Sequence, residues 1–230
     1  MNLPYRLKKI VDLVPPSETI ADIGCDHAYV SIELVKSGKA GHALACDINQ
    51  GPLRSAKENI ISEGLSSQIE TRLCDGLEAV KPHEADSVII AGMGGLLMEH
   101  ILMKRLHDFD RFILSPQSDI EHFRRFLIEN DMLITSETMI IDDRKFYTIL
   151  TVIPKNNRET EAIAEDTSSY YINDEDFIYG GLLLRDRDET LHRFLLKEKE
   201  RYENILKKTD NDIIRKSHKC CLKALEAYTC

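Results

Sequence analysis

The sequence predicts an α/β fold: a doubly wound, seven-stranded, mostly parallel sheet followed by a C-terminal α-helical hairpin of coiled-coil-like character. Three observations carry that expectation. Five apolar runs of strand length alternate with helical patterns before residue 131, which is the signature of βα repeats whose strands are covered on both faces. Two further strand-like runs follow with only Asp142-Asp143-Arg144 between them, so they form an edge hairpin rather than another crossover. Beyond them the chain turns densely charged with helical spacing.

Taken in order, Leu3, Leu7, Ile10, Val11 and Val14 are spaced by three and four, an amphipathic opening helix with its basic residues outward. Pro15-Pro16 ends it. The repeats are "TIADI" then 28–37, "HALACD" then 52–63, "QIETRLC", "SVIIAG" then 95–104, and "RFILS" then 119–130. "MLITSETMII" and "KFYTILTVIP" are the hairpin strands. Residues 154–169 are polar, open on a proline and show little periodicity, the composition of a linker. The expected organisation is therefore a ligand-binding domain over 1–154, a linker over 155–169 and a helical hairpin domain over 170–230. In the hairpin, Leu191, Phe194, Leu195, Tyr202, Ile205 and Leu206 form one seam, and Ile213, Ile214, Cys221, Leu222 and Leu225 the other. The two helices join near Thr209-Asp210-Asn211, where an Asp or Asn can cap the second.

Composition narrows the class. With 230 residues, 43% of them hydrophobic, the chain can bury a sizeable core. No apolar run approaches the ~18 to 20 residues of a membrane span, and "MNLPYRLKKIV" lacks the pattern of a secretory signal, so the expectation is a cytoplasmic protein without membrane partners. The six cysteines include no C-x-x-C pair, which points to structural thiols and to no metal site. Net charge is −9, unfavourable for a polyanion in bulk. The distribution is uneven, because residues 181–230 carry 12 Lys and Arg against 9 Asp and Glu. A polyanion would meet that mildly basic segment or a local patch such as Arg6/Lys8/Lys9 or Arg124/Arg125.

In a doubly wound sheet, ligands bind beyond the carboxyl ends of the strands, near the first strand. Four such ends carry unusual residues: "ADIGCDHAYV" (Ala21 to Val30), Asp47, Cys74-Asp75-Gly76, and Ala91-Gly92-Met93-Gly94-Gly95. Asp47 is placed to accept hydrogen bonds from two ribose hydroxyls. Asp75-Gly76 can accept from an adenine amino group while the glycine admits the backbone. The first loop keeps Gly24 but has Asp26 where a dinucleotide fingerprint wants its second glycine, and Asp22 precedes it. Two carboxylates would repel a pyrophosphate. S-adenosylmethionine has no phosphate and carries a sulfonium and an ammonium, and its carboxylate can still use a helix start. The loop suits that cofactor and does not suit NAD.

The series "DIGCDHAY", "ALACDI", "LCDGL", "AGMGG" and "ILSPQ" resembles the bacterial tRNA (adenine-N1)-methyltransferase family that modifies position 22 of tRNA. The likeness runs over nearly the whole chain, more in character than in letters toward its C-terminus. It implies a Rossmann-like class I methyltransferase domain that binds S-adenosylmethionine through Asp22, Gly24, Asp26, His27, Asp47, Asp75 and Gly76. Gly92, Met93 and Gly94 would lie near the sulfonium and the transferred methyl. It also implies tRNA as the partner.

Generic enzymes that methylate an exocyclic amine often carry an Asn/Asp-Pro-Pro-aromatic run after the fourth strand, which this chain lacks. Adenine N1 has an in-plane lone pair, so the task is mainly alignment, an effect that supplies ~7 kcal/mol or more of a barrier. The product ring is cationic, and a carboxylate beside it would stabilise it. Asp26 is the first catalytic candidate and His27 the second, since histidine titrates near neutrality; His27 could equally be a hydrogen-bonding loop residue. Tyr29 either stacks on a flipped adenine or packs on the sheet. Ser115-Pro116-Gln117 is a pocket wall or a structural turn. Two alternatives use the same cofactor site: methylation of a small molecule or protein, and non-catalytic binding of S-adenosylmethionine.

Overall fold

A computed structural model describes residues 3–155 and 167–229; most of the expected linker, residues 156–166, lies outside it. The seven strands are β1 (Ser17–Ile23), β2 (Ala40–Asp47), β3 (Ile69–Leu73), β4 (Ser87–Ala91), β5 (Arg111–Ser115), β6 (Met132–Asp142) and β7 (Lys145–Pro154). They lie in the order β3-β2-β1-β4-β5-β7-β6. The first five are parallel and β7 runs antiparallel between β5 and β6, as the sequence predicts. Chain order reverses between β1 and β4, which opens a crevice at their carboxyl ends.

Neighbouring residues on one central strand enter opposite cores. Val88, Ile90 and Leu114 pack under α4 (Gly95–Leu102) and α5 (Ile120–Glu129), while Ile89 and Ile113 pack toward the other face. That second face is covered by α1 (Tyr5–Leu13), α2 (Tyr29–Lys36) and α3 (Gln50–Ser62), through residues such as Ile10, Leu34 and Ile60. Continuous apolar strands are what burial on both faces demands. β3, the edge strand, is exposed at Glu70 and Leu73. The hairpin turn uses two residues, Asp143 and Arg144, both at positive φ (45° and 62°), the backbone that matches strand twist in a two-residue loop.

From Thr167, within the last three residues of the expected linker, come a 3₁₀ turn (Thr167–Tyr170), a π-helical turn (Asp176–Gly180) and three helices: α6 (Gly181–Arg185), α7 (Glu189–Leu206) and α8 (Asp212–Glu226). Asp188 caps α7 by accepting from the Leu191 amide at 2.8 Å, and Asn211 caps α8 by accepting from Ile213 and Ile214. The expected seam of α8 is corrected in part. Ile214, Cys221 and Leu225 face α7, joined by Cys220 and Ala224, whereas Ile213 is 76% exposed and Leu222 is also outward. Helical periodicity alone could not choose between faces of similar apolarity.

Packing also ties this segment to the sheet. Tyr171, Phe177 and Leu182 belong to the core under α4 and α5, and Met139 of β6 belongs to the hairpin's own cluster. The proposed basic patch at Arg124/Arg125 is overturned. Arg124 is 1% exposed, donates to Glu137 at 2.7 Å and caps the carbonyls of Phe177 and Ile178. Arg125 donates to Glu121 and Asp174 and lies over the Phe177 ring. Both guanidiniums serve the joint between sheet and helices. Among the described residues no helix is long and apolar enough to cross a membrane.

Candidate active site

The loop after β1 is built by backbone that few residues adopt. Gly24 has φ +71°, and a Cβ there would overlap the Met93 methyl, so glycine is required both for the turn and for the approach of the β4 loop. Gly24 and Cys25 donate their amides to the Cys46 carbonyl, pinning the loop to β2. Asp26 and Ala28 then take the left-handed conformation, with φ 49° and 58°. Ala28 precedes α2 and offers no side-chain cap; the Ser31 amide joins its hydroxyl in bonding Asp22, and the Tyr29 and Val30 amides ahead of it are the ones offered to an anionic group of a ligand. Asn59 of α3 donates to the His27 carbonyl at 3.0 Å and fixes the loop from the far side.

Among the described residues, the carboxylates here have no ion pair with lysine or arginine. Asp22 is 5% exposed and accepts from the Ser31 hydroxyl at 2.8 Å; burial, against the lowering effect of that bond, pushes its pKa up to about 6. Asp47 is buried at the end of β2 and accepts from the amides of Asn49 (2.8 Å) and Asp26 (3.3 Å). Its two oxygens keep lone pairs for further donors. Asp26 turns outward, its side chain 69% exposed, 3.7 Å from the His27 ring. His27 and Tyr29 stack on each other, with centroids 5.2 Å apart and planes 21° apart.

Two cavities meet in this crevice. One, of about 260 Å³, is lined by Gly24, Asp47, Ile48, Asp75, Gly76, Met93 and Leu97 among others. The other, of about 250 Å³, is lined by Arg6, Asp22, Gly24, Asp26, His27, Tyr29 and Gln117 among others. They share Gly24, Ala91 and Gly92. The first offers the Asp47 and Asp75 carboxylates beside apolar faces from Ile48, Met93 and Leu97, acceptors for a nucleoside's donors. The second offers acidic and aromatic groups around a helix start, which fits a zwitterionic, sulfonium-bearing group and a flat base.

The structure thus gathers ten of the eleven predicted residues. Gly94 lines neither cavity; it precedes α4, and a Cβ there would lie 2.7 Å from the Ser118 hydroxyl. Ser115 is also outside, its hydroxyl spent on the Thr148 carbonyl at 3.0 Å. Gln117 is the member of that turn on the wall. Sequence reasoning missed Arg6 as a wall residue, and Ile48 and Leu97 as faces of the slot. Arg6 had only its neighbours' positive charge as a signal, and an exposed Ile or Leu gives none.

The methyltransferase domain family matches residues 3–150. In sequence the chain is 39% identical over 153 residues to the tRNA (adenine(22)-N(1))-methyltransferase of Bacillus subtilis (strain 168). That match spans 65% of this chain and 64% of that protein, somewhat under two thirds of its length. In structure it is similar to the B. subtilis m1A22 tRNA methyltransferase TrmK, with a TM-score of 0.77, 30% identity and coverage of 98% and 97% of the two chains. The M. capricolum TrmK, solved with its cofactor product S-adenosyl-homocysteine, gives 0.83 at 29% identity, covering 98% of each chain. With the sheet order, the paired cavities and full-length structural likeness in agreement, the chain belongs to the methyltransferase domain family and, within it, to the tRNA (adenine(22)-N(1))-methyltransferases.

Proposed function

We propose that this protein transfers a methyl group from S-adenosylmethionine to N1 of adenine 22 in tRNA. The observation that carries the reading is the pair of cavities joined at Gly24, Ala91 and Gly92. A donor held in one and an acceptor held in the other would face each other across a wall with almost no side chain.

S-adenosylmethionine, when bound, supplies a methyl carbon made electrophilic by a positively charged sulfur. The chain's residues do the rest. Asp47 accepts from the ribose hydroxyls and Asp75 from the amino group of the nucleoside, with Gly76 admitting its ring edge. Asp22, sunk beneath the loop and tied to Ser31, contributes negative charge rather than a direct grip. The Tyr29 and Val30 amides at the start of α2 receive the carboxylate. Gly92 and Met93 border the methyl, and Gly94 sets the helix start behind them. Tyr29, with His27 stacked on its ring, offers a face for the acceptor adenine. In the step itself the N1 lone pair forms the new bond to carbon while the carbon–sulfur pair returns to sulfur, and the positive charge moves to the adenine ring. Asp26, exposed to the cavity and close to His27, stabilises that charge. The C-terminal hairpin, the basic part of an acidic chain, is the surface offered to the tRNA phosphates.

The test is to incubate unmodified tRNA with purified protein and S-adenosylmethionine and map the nucleosides by mass spectrometry. The expected product is N1-methyladenosine at position 22. No methylation of any tRNA adenine would overturn the reading.

A further inference from the structure

The second cavity has one wall residue whose polar group is not used by the fold. Gln117 follows β5, and its backbone amide donates to the Met93 carbonyl at 2.9 Å. One residue later the chain is pinned again, since Gly95 donates to the Ser118 carbonyl at 2.9 Å. The root of the Gln117 side chain is therefore fixed against the loop that borders both cavities. Its neighbours have spent their polar atoms: the Ser115 hydroxyl donates to Thr148 and that of Ser118 to Asp119. The Gln117 carboxamide is exposed and, among the described residues, has no hydrogen-bond partner. Its nitrogen lies 3.8 Å from where a Gly92 Cβ would stand, over the wall the two cavities share.

A carboxamide presents one acceptor and one donor side by side. Adenine presents the complementary pair on its Hoogsteen edge, an N6 amino donor and an N7 acceptor. Guanine shows two acceptors there, O6 and N7, and a pyrimidine has no N7. Gripping adenine by N6 and N7 leaves N1 and its lone pair on the free Watson–Crick edge, the edge that must meet the methyl.

We propose that Gln117 reads the acceptor base, its oxygen accepting from N6 and its NH₂ donating to N7, so that N1 is turned toward Gly92. The proposal rests on adenine N1 methylation as the reaction. It makes Gln117 a specificity residue at the acceptor, distinct from the carboxylates that serve the cofactor and the charge.

The experiment is a cycle between protein and base. Rates are measured under kcat/KM conditions for wild type and Gln117→Ala, on tRNA carrying adenosine or 7-deazaadenosine at the methylated position. Wild type is expected to lose about tenfold or more on the 7-deaza substrate. Gln117→Ala should lose a comparable factor on adenosine and nothing further on 7-deazaadenosine. Any intrinsic difference in N1 reactivity is common to both proteins and cancels. S-adenosylmethionine affinity by calorimetry, expected within about twofold of wild type for this surface substitution, reports that the variant is folded. A 7-deaza penalty that persists in Gln117→Ala, or is missing from wild type, overturns the proposal and leaves the reaction standing. A wild-type protein that methylates no adenine N1 overturns the reaction and the proposal together.

Discussion

The crevice at β1 and the joint at β6 handle charge in opposite ways. In the crevice, Asp22, Asp26 and Asp47 converge within one loop system without a lysine or arginine ion pair among the described residues, held by backbone amides, a serine hydroxyl and an adjacent histidine. At the joint, the Arg124 and Glu137 side chains are 1% and 0% exposed and meet at 2.7 Å, with Arg124 also satisfying two carbonyls. One region leaves its electrostatics to be completed by something that arrives; the other pairs its two charges internally, although Glu137 Oε2 and the Tyr171 hydroxyl stay buried without a hydrogen-bond partner among the described residues. A buried pair costs desolvation and is retained by geometry, whereas uncompensated acids close together are tolerable where water or a cation reaches them.

The largest test of that contrast is where the chain is cut. Ending it at Pro154 removes Tyr171, Phe177 and Leu182 from the core under α4 and α5 and strips the carbonyls that Arg124 caps. That fragment is expected to unfold or aggregate, as followed by circular dichroism. Ending it at Arg187 retains those contacts, so S-adenosylmethionine binding should persist while tRNA methylation falls to background. Full methylation by the Arg187 fragment would remove the hairpin from RNA binding.

Next is the pair itself. Arg124→Met leaves the Glu137 carboxylate buried without its guanidinium and should cost about 3 to 5 kcal/mol in urea unfolding. Adding Glu137→Leu should recover most of that loss. Recovery would separate the pair's structural role from its charge, and a double variant no better than the single one would refute the assignment.

In the crevice, effects should appear in binding and turnover more than in stability. Asp47→Ala is expected to weaken S-adenosylmethionine by roughly tenfold to a hundredfold in calorimetry. Asp26→Ala should lower kcat by about a hundredfold with little change in cofactor affinity. Equal losses in both quantities for Asp26 would make it a cofactor ligand only.

The smallest effect concerns pH. Asp22 is raised by burial from 3.8 to about 6, so its contribution to stability is fully present below the lower value and is lost as pH rises through the upper. Attraction for a cationic ligand runs the other way, because the carboxylate must ionise first. Affinity for S-adenosylmethionine should therefore climb a few-fold between about pH 5 and 7 as Asp22 ionises. Asp22→Asn should flatten that climb, and an unchanged profile would place the titration elsewhere.

Much of this organisation was legible because the signals were local. Runs such as "SVIIAG" and "RFILS" announce buried parallel strands, and two adjacent runs with three residues between them announce the hairpin. The acidic loop likewise named its ligand class through charge alone. The remainder depends on contacts between distant segments. Nothing near Gly24 reveals that Met93 presses on it, and nothing near Asp22 reveals that Ser31, in the first turn of α2, already binds it. Arg124 reads as a surface arginine beside Arg125 until Phe177 and Ile178, more than fifty positions away, come to rest on it. Residues 167–188 also break into short 3₁₀, π and α turns, which no single period describes.

The joint has a consequence for how a substrate could be chosen. With Tyr171 seated in the core that backs the crevice and Arg124 paired to the buried Glu137 beside it, the segment that leads into the hairpin is anchored to the sheet. On the proposed reading, that anchor sets the hairpin's distance from the methyl-bearing wall, and the protein works as a caliper. The strain of bringing one nucleotide to that wall then falls on the RNA, so a transcript would be selected as much by where its elbow and stem can bend as by the base it offers.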